Sequence, residues 1–166
     1  LTIGPDPHFR HVPGMQSCSR CRLLVIGYGN ELRGDDGVGP RTAARTGELG
    51  LPGVEILTTH QLVPELADPI SRAGTVVFVD ASVEKLDDVR MSELKPMEDV
   101  RVSAHNSDPR GLLTMARDLF DHAPQAWMIS IPVSDFSFGE HLSPEAQEGM
   151  EKAVQMVRKL AESQQD

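Results

Sequence analysis

Leu24-Val-Ile-Gly-Tyr-Gly-Asn-Glu-Leu-Arg-Gly-Asp-Asp-Gly-Val-Gly39 is the stretch whose reading decides how this chain folds. Its first residues are short, apolar and partly β-branched, the pattern of a buried strand. They run into a glycine-rich turn that delivers two adjacent carboxylates, Asp35 and Asp36, to the mouth of a helix. Such a turn serves either a nucleotide or a cation. A dinucleotide cradle needs Gly-x-Gly-x-x-Gly, so that backbone amides and a helix N-terminus meet a pyrophosphate. Gly27 and Gly29 comply, but Leu32 stands where the third glycine belongs and the next glycine is Gly34. Asp35 and Asp36 would repel a polyanion, and no Lys-Ser or Lys-Thr follows to make a P-loop. A cation suits these charges better. Acids at a helix start also accept free backbone amides and favour the positive end of the helix dipole. One acid of the pair is expected to cap, which leaves the other to point elsewhere.

Outward from this stretch, strands alternate with helices. Leu23 to Gly27 reads as the first strand and Val38 to Leu49 as the first helix, closed by Gly50 and Pro52. Val54 to Thr58 is a second strand. Val63 to Ala73 has helical spacing through Leu66, Ala67 and Ile70, with Pro69 expected to kink or shorten it. Thr75 to Asp80 is apolar throughout until its last residue, as a central strand covered on both faces should be. Val89 to Leu94 is a weaker, half-exposed strand. Asp108-Pro109 supplies an N-cap with proline at the first helical position, and Leu112, Leu113, Ala116, Leu119 and Phe120 form the stripe of that helix. Trp127 to Pro132 is the last strand. Ser143-Pro144-Glu145 opens the final helix, with the stripe Met150, Ala153, Val154, Val157, Leu160 and Ala161. The pattern predicts one α/β domain in three layers with a mainly parallel sheet, over residues 21–163, after a flexible leader at 1–20 and before a frayed tail at 164–166.

Composition narrows the function classes. The chain has 166 residues, enough for one proper core, and 39% hydrophobic against 25% charged residues marks a soluble, folded protein. With 16 basic and 25 acidic residues its formal charge is -9, which argues against nucleic acid or an anionic membrane as partner. No apolar run approaches the roughly 20 residues that cross a bilayer. The cytoplasm and a monomer are the expectation. Cys18 and Cys21 form a single Cys-x-x-Cys ahead of the first strand, half a zinc site at most, and His8 and His11 complete no familiar ligand spacing. They read as incidental, and as lying at the wrong end of the strand for a nucleophile.

In open parallel sheets, functional groups gather beyond the carboxyl ends of the strands. Asp36 follows the first strand, Asp80 closes the third, and His105 lies in the loop Ser103-Ala-His-Asn-Ser-Asp-Pro109. Each has a plain structural reading, as a cap or a loop residue bonded to backbone. Together, two carboxylates and an imidazole make a donor set for a divalent transition metal such as nickel or zinc, with positions left for ligands from a partner. His60, after the second strand, is a secondary candidate on the same rim. No Gly-x-Ser-x-Gly and no His-Glu-x-x-His is present, so the common serine and zinc peptidase templates fail.

Gly27-Tyr-Gly-Asn30, Asp35-Asp-Gly-Val-Gly39, Phe78-Val-Asp-Ala81 and His105, taken in this order, resemble the hydrogenase maturation endopeptidases. His60-Gln-Leu-Val-Pro-Glu-Leu-Ala67 further resembles members that process bidirectional or group 3 nickel-iron hydrogenases. The resemblance implies a three-layer α/β/α sandwich whose five-stranded sheet runs in the order second, first, third, fifth, fourth, with the fourth strand antiparallel. It implies metal ligation by Asp36, Asp80 and His105, where some members carry Glu in place of Asp36, and so leaves Asp35 as the expected cap. The implied activity is removal of the C-terminal extension of a nickel-iron hydrogenase large-subunit precursor after nickel insertion, the nickel arriving with that precursor. A non-catalytic nickel-sensing chaperone or binding module of hydrogenase assembly is the alternative. The same three residues are the catalytic candidates, with their parts in peptide hydrolysis left open between proton transfer and docking.

Overall fold

A computed structural model describes residues 21–98 and 108–164. Its strands are β1 (Leu23–Tyr28), β2 (Val54–Thr59), β3 (Thr75–Ser82), β4 (Arg90–Leu94) and β5 (Gln125–Pro132). Its α-helices are α1 (Val38–Glu48), α2 (Ala67–Arg72), α3 (Pro109–Phe120) and α4 (Pro144–Ser163). The five strands form one sheet in the order β2-β1-β3-β5-β4. Every neighbouring pair is parallel except β4 with β5, which is antiparallel. This is the fold class and strand order that the sequence implied, with the weak strand at the antiparallel edge.

Side chains alternate across a strand, so each central strand feeds two cores. Leu23 and Val25 of β1, Val77 and Val79 of β3, and Ile129 and Ile131 of β5 pack with Val38 and Ala43 of α1 and with Ala146, Ala153 and Val157 of α4. The residues between them, Leu24, Ile26, Val76, Phe78 and Ala126, pack with Ile70 of α2 and with Leu112, Leu113 and Ala116 of α3. The sheet is therefore covered on both faces, which is why β1 and β3 read as nearly unbroken apolar runs.

Local chemistry sets the helix boundaries. The Asp108 side chain accepts the Arg110 N–H at 2.8 Å, and Ser143 Oγ accepts the Ala146 N–H at 3.1 Å, each with proline at the first helical position. Pro69 does not kink a long helix. The segment enters as a 3-10 turn (Pro64–Leu66), and Pro69 falls in the first turn of the six-residue α2, where its missing N–H had no helical partner to lose. One part of the apolar stripe of α3 is corrected: Leu119 and Phe120 are exposed, 66% and 45%. Phe120 borders an open pocket beside Asp68, Ser71 and Arg72 of α2 instead of entering the core.

Candidate active site

The strand order reverses direction of growth between β1 and β3, and the crevice beyond their carboxyl ends is where such sheets place a site. β1 pairs with β3 only as far as Gly27↔Val79, whereas β3 continues beside β5 to Ser82↔Pro132. Asp80 is thus not the last residue of its strand, as the sequence suggested. It is the first residue of β3 past its last pair with β1, at the point where the two strands part.

The glycines of the opening stretch make this parting possible by a tight backbone approach. A Cβ on Gly39 would lie 2.5 Å from the carbonyl oxygens of both Tyr28 and Val79, and one on Gly27 would strike the Gly39 carbonyl. The N-terminus of α1 is thereby seated directly on β1 and β3. Gly29 has φ of 141°, and a Cβ there would run into the Asp36 carbonyl. These glycines fit backbone to backbone rather than backbone to phosphate.

Asp36 sits in the 3-10 turn (Gly34–Gly37) and is half-buried. The Asn30 N–H donates to its Oδ2 at 2.9 Å, while the Asn30 Oδ1 accepts the Leu32 N–H at 3.0 Å. One asparagine therefore shapes the turn and fixes the carboxylate. Burial pushes the Asp80 carboxyl up to about 6, against the lowering effect of hydrogen bonds from the Tyr28 hydroxyl and the Ala81 N–H. The negative charge of Asp36 adds to the rise, so the two acids feel one another across the parting strands. Two such carboxylates are eased by sharing either a proton or a cation.

Asp35 is not the cap expected of it. Neither the 3-10 turn nor α1 has a side-chain cap. Asp35 is fully buried and accepts from Ser134 N–H (3.3 Å), Asp135 N–H (3.1 Å), Ser143 N–H (2.7 Å) and the Ser143 hydroxyl (2.8 Å). Burial alone would raise its pKa, but these donors together hold it below the ordinary carboxylate value. Asp35 pins the 134–143 loop to the glycine turn, which frees its neighbour for the crevice.

Tyr28 is the residue that sequence reasoning passed over. Its hydroxyl meets Asp80, and burial, then the Asp80 and Asp108 charges, hold the phenol far above its usual pKa and keep it a neutral donor. The available signal was its place as the chain's one tyrosine, between two glycines. His60 directly follows β2 and is exposed. It stands on the same rim, but β1 lies between its strand and that of Asp80. His105 lies outside the described residues, as does Cys18. Cys21 is buried ahead of β1, at the opposite end of the strands from Asp36 and Asp80. Among the described residues no group of three or more His, Cys, Asp or Glu side chains is placed to hold a metal ion. Asp36 and Asp80 supply two oxygen donors, an incomplete set that suits a cation already held by other ligands.

Comparison with solved structures tests the fold. The hydrogenase maturating endopeptidase HybD from E. coli superposes with a TM-score of 0.68 at 22% identity, over 86% of this chain and 93% of that one. The [NiFe] hydrogenase maturation protease HybD from Thermococcus kodakarensis gives 0.65 at 26% identity, over 84% of this chain and 99% of that one. The fold is that of the hydrogenase maturation endopeptidases. HycI, a maturation protease of the same family from Thermococcus kodakarensis, gives 0.66 at 23% identity over 89% and 94% of the two chains. No family model matches the chain, and no curated protein matches it. The likeness to maturation endopeptidases thus rests on the backbone and on the spaced motifs, with sequence identity low throughout.

Proposed function

We propose that this chain is a processing endopeptidase that removes the C-terminal extension of a nickel-iron hydrogenase large-subunit precursor once nickel is in place. The observation that carries the reading is the superposition on maturation proteases along nearly their whole length, with the charge of Asp36 felt at the buried Asp80 beyond the strand ends. Nickel belongs to the substrate in this reading. Asp36, Asp80 and His105 offer oxygen and nitrogen donors to a metal whose remaining ligands come from the precursor. Recognition of a loaded metal centre fixes the neighbouring peptide bond in position, and much of a hydrolytic barrier is met by such positioning.

The chain's own residues then divide the work. Asn30 and Tyr28 hold the two acids at fixed orientation. A carboxylate not engaged by the metal takes a proton from the attacking water, an aspartyl-type role. His60 lines the rim beside the peptide rather than the metal. Among the described residues no helix is long and apolar enough to cross a membrane. The protein acts in the cytoplasm, as a monomer, on an incoming precursor.

Mass spectrometry of the precursor, with and without nickel and before and after exposure to this protein, tests the reading. The expected result is a nickel-dependent loss of the C-terminal extension. A precursor that binds but keeps its full mass after prolonged contact would overturn it.

A further inference from the structure

The 134–143 loop is held rigidly yet presents one of the most exposed apolar side chains of the molecule. Phe138 is 85% exposed and Leu32 48%. The two belong together. Arg33 and Gly139 form an isolated parallel bridge, with the Gly139 N–H donating to the Leu32 carbonyl at 2.8 Å and the Gly34 N–H to the Gly139 carbonyl at 2.9 Å. The Leu32 carbonyl takes part in the bridge and Phe138 directly precedes Gly139, so the bridge brings the backbones of these two exposed residues close together.

This pair is tied to the candidate catalytic acids on both sides. Leu32 is fastened to Asn30, the residue that also holds Asp36. Phe138 rides on the loop that buried Asp35 clamps through four hydrogen bonds. Leu32 is four positions before Asp36, so their Cα atoms are at most about 14 Å apart, a span that roughly four residues of extended peptide cover. Val83, 80% exposed, lies three residues beyond Asp80 on the same rim. Single exposed apolar side chains are ordinary, but two brought together by a backbone bridge beside the candidate acids offer a contact surface.

We infer that Leu32 and Phe138 form the docking surface for the precursor polypeptide, taking an apolar side chain within a few residues of its scissile bond. The inference rests on the function proposed above and adds what the protein reads besides the metal. The occupant is the substrate because the pair is continuous with Asp36 and the crevice, where that peptide must lie. Its rigidity means that little ordering cost is left for the moment of binding.

The test is the double variant Leu32→Ser with Phe138→Ser, assayed on nickel-loaded precursor for both KM and direct binding. KM and Kd are expected to rise about tenfold or more, with kcat far less affected, as for loss of an anchor that binds ground and transition states alike. Leu32→Met with Phe138→Leu should restore the wild-type KM, and thermal unfolding should not move, since both side chains are exposed. Unchanged KM and Kd in the serine variant would sink the docking surface while leaving the peptidase reading intact. Binding that weakens with the serine variant, on a precursor that wild-type protein never shortens, would keep the surface and sink the peptidase reading. Sedimentation adds one more outcome: a wild-type dimer that the serine variant turns into a monomer, with KM unchanged, would make the pair a self-association face and overturn the inference.

Discussion

Asp36 accepts the Asn30 N–H, and Asp80 accepts from the Tyr28 hydroxyl and the Ala81 N–H. Replacing either acid with alanine removes a carboxylate from the rim, and neither is among the buried core residues. Asp36→Ala and Asp80→Ala are expected to abolish precursor processing, at least a hundredfold by order of magnitude, while circular dichroism and the unfolding midpoint stay near wild type. His105→Ala belongs to the same series through the motif it completes. Wild-type cleavage by these variants would remove the site assignment. Tyr28→Phe is milder, since the ring stays and only one hydrogen bond to Asp80 goes. Processing should slow by about tenfold, the scale of a lost hydrogen bond of roughly 1–1.5 kcal/mol, with little change in KM. A kcat equal to wild type would show that Tyr28 packs without orienting Asp80.

At the scale of elements, the molecule joins the turn after β1 to the loop after β5 through a buried charge. Asp35 accepts all four of its hydrogen bonds from Ser134, Asp135 and Ser143, and Ser143 in turn caps α4. Its pKa is lowered in the folded protein, so it favours folding above the unfolded carboxylate value near 3.8. That contribution is lost as pH falls through the still lower folded value. Asp35→Asn turns an acceptor into a donor facing donors. It should cost on the order of 2 kcal/mol at neutral pH by chemical denaturation, and the gap to wild type should narrow below pH 4. A constant gap across that range would show that the ionised carboxylate is not what the loop is built on. The same element pair explains a limit of sequence reading. Two acids side by side at a helix start carry the signature of a cap whichever partner they find. Only the arrival of a loop from about a hundred residues away decides that Asp35 is its anchor.

Across the whole molecule, one end of the sheet carries the acids and the other carries Cys21 and the exposed end of α3. The strands between them put the candidate chemistry and Cys21 at opposite poles. Cys18→Ser with Cys21→Ser should therefore process precursor at the wild-type rate per folded molecule, whatever it costs in stability at the buried Cys21 position. A folded but inactive double variant, shown by an intact circular dichroism spectrum with no mass change in the precursor, would bring that end of the chain into the function. By itself the sequence determined the three-layer class, the strand order through its resemblance, both covered faces of the sheet and the rim on which Asp36, Asp80 and His60 stand. The class, the covered faces and the rim depend on local period, capping and turn chemistry, which are written in neighbouring residues. Only the tertiary structure decided that Asp35 is a clamp, that the Tyr28 hydroxyl faces Asp80, that the glycines serve helix packing, and that Arg33 bridges to Gly139. Each of these joins residues far apart in the chain or lying across parting strands, and no periodicity in a single segment encodes which distant backbone will come to fill a buried acceptor.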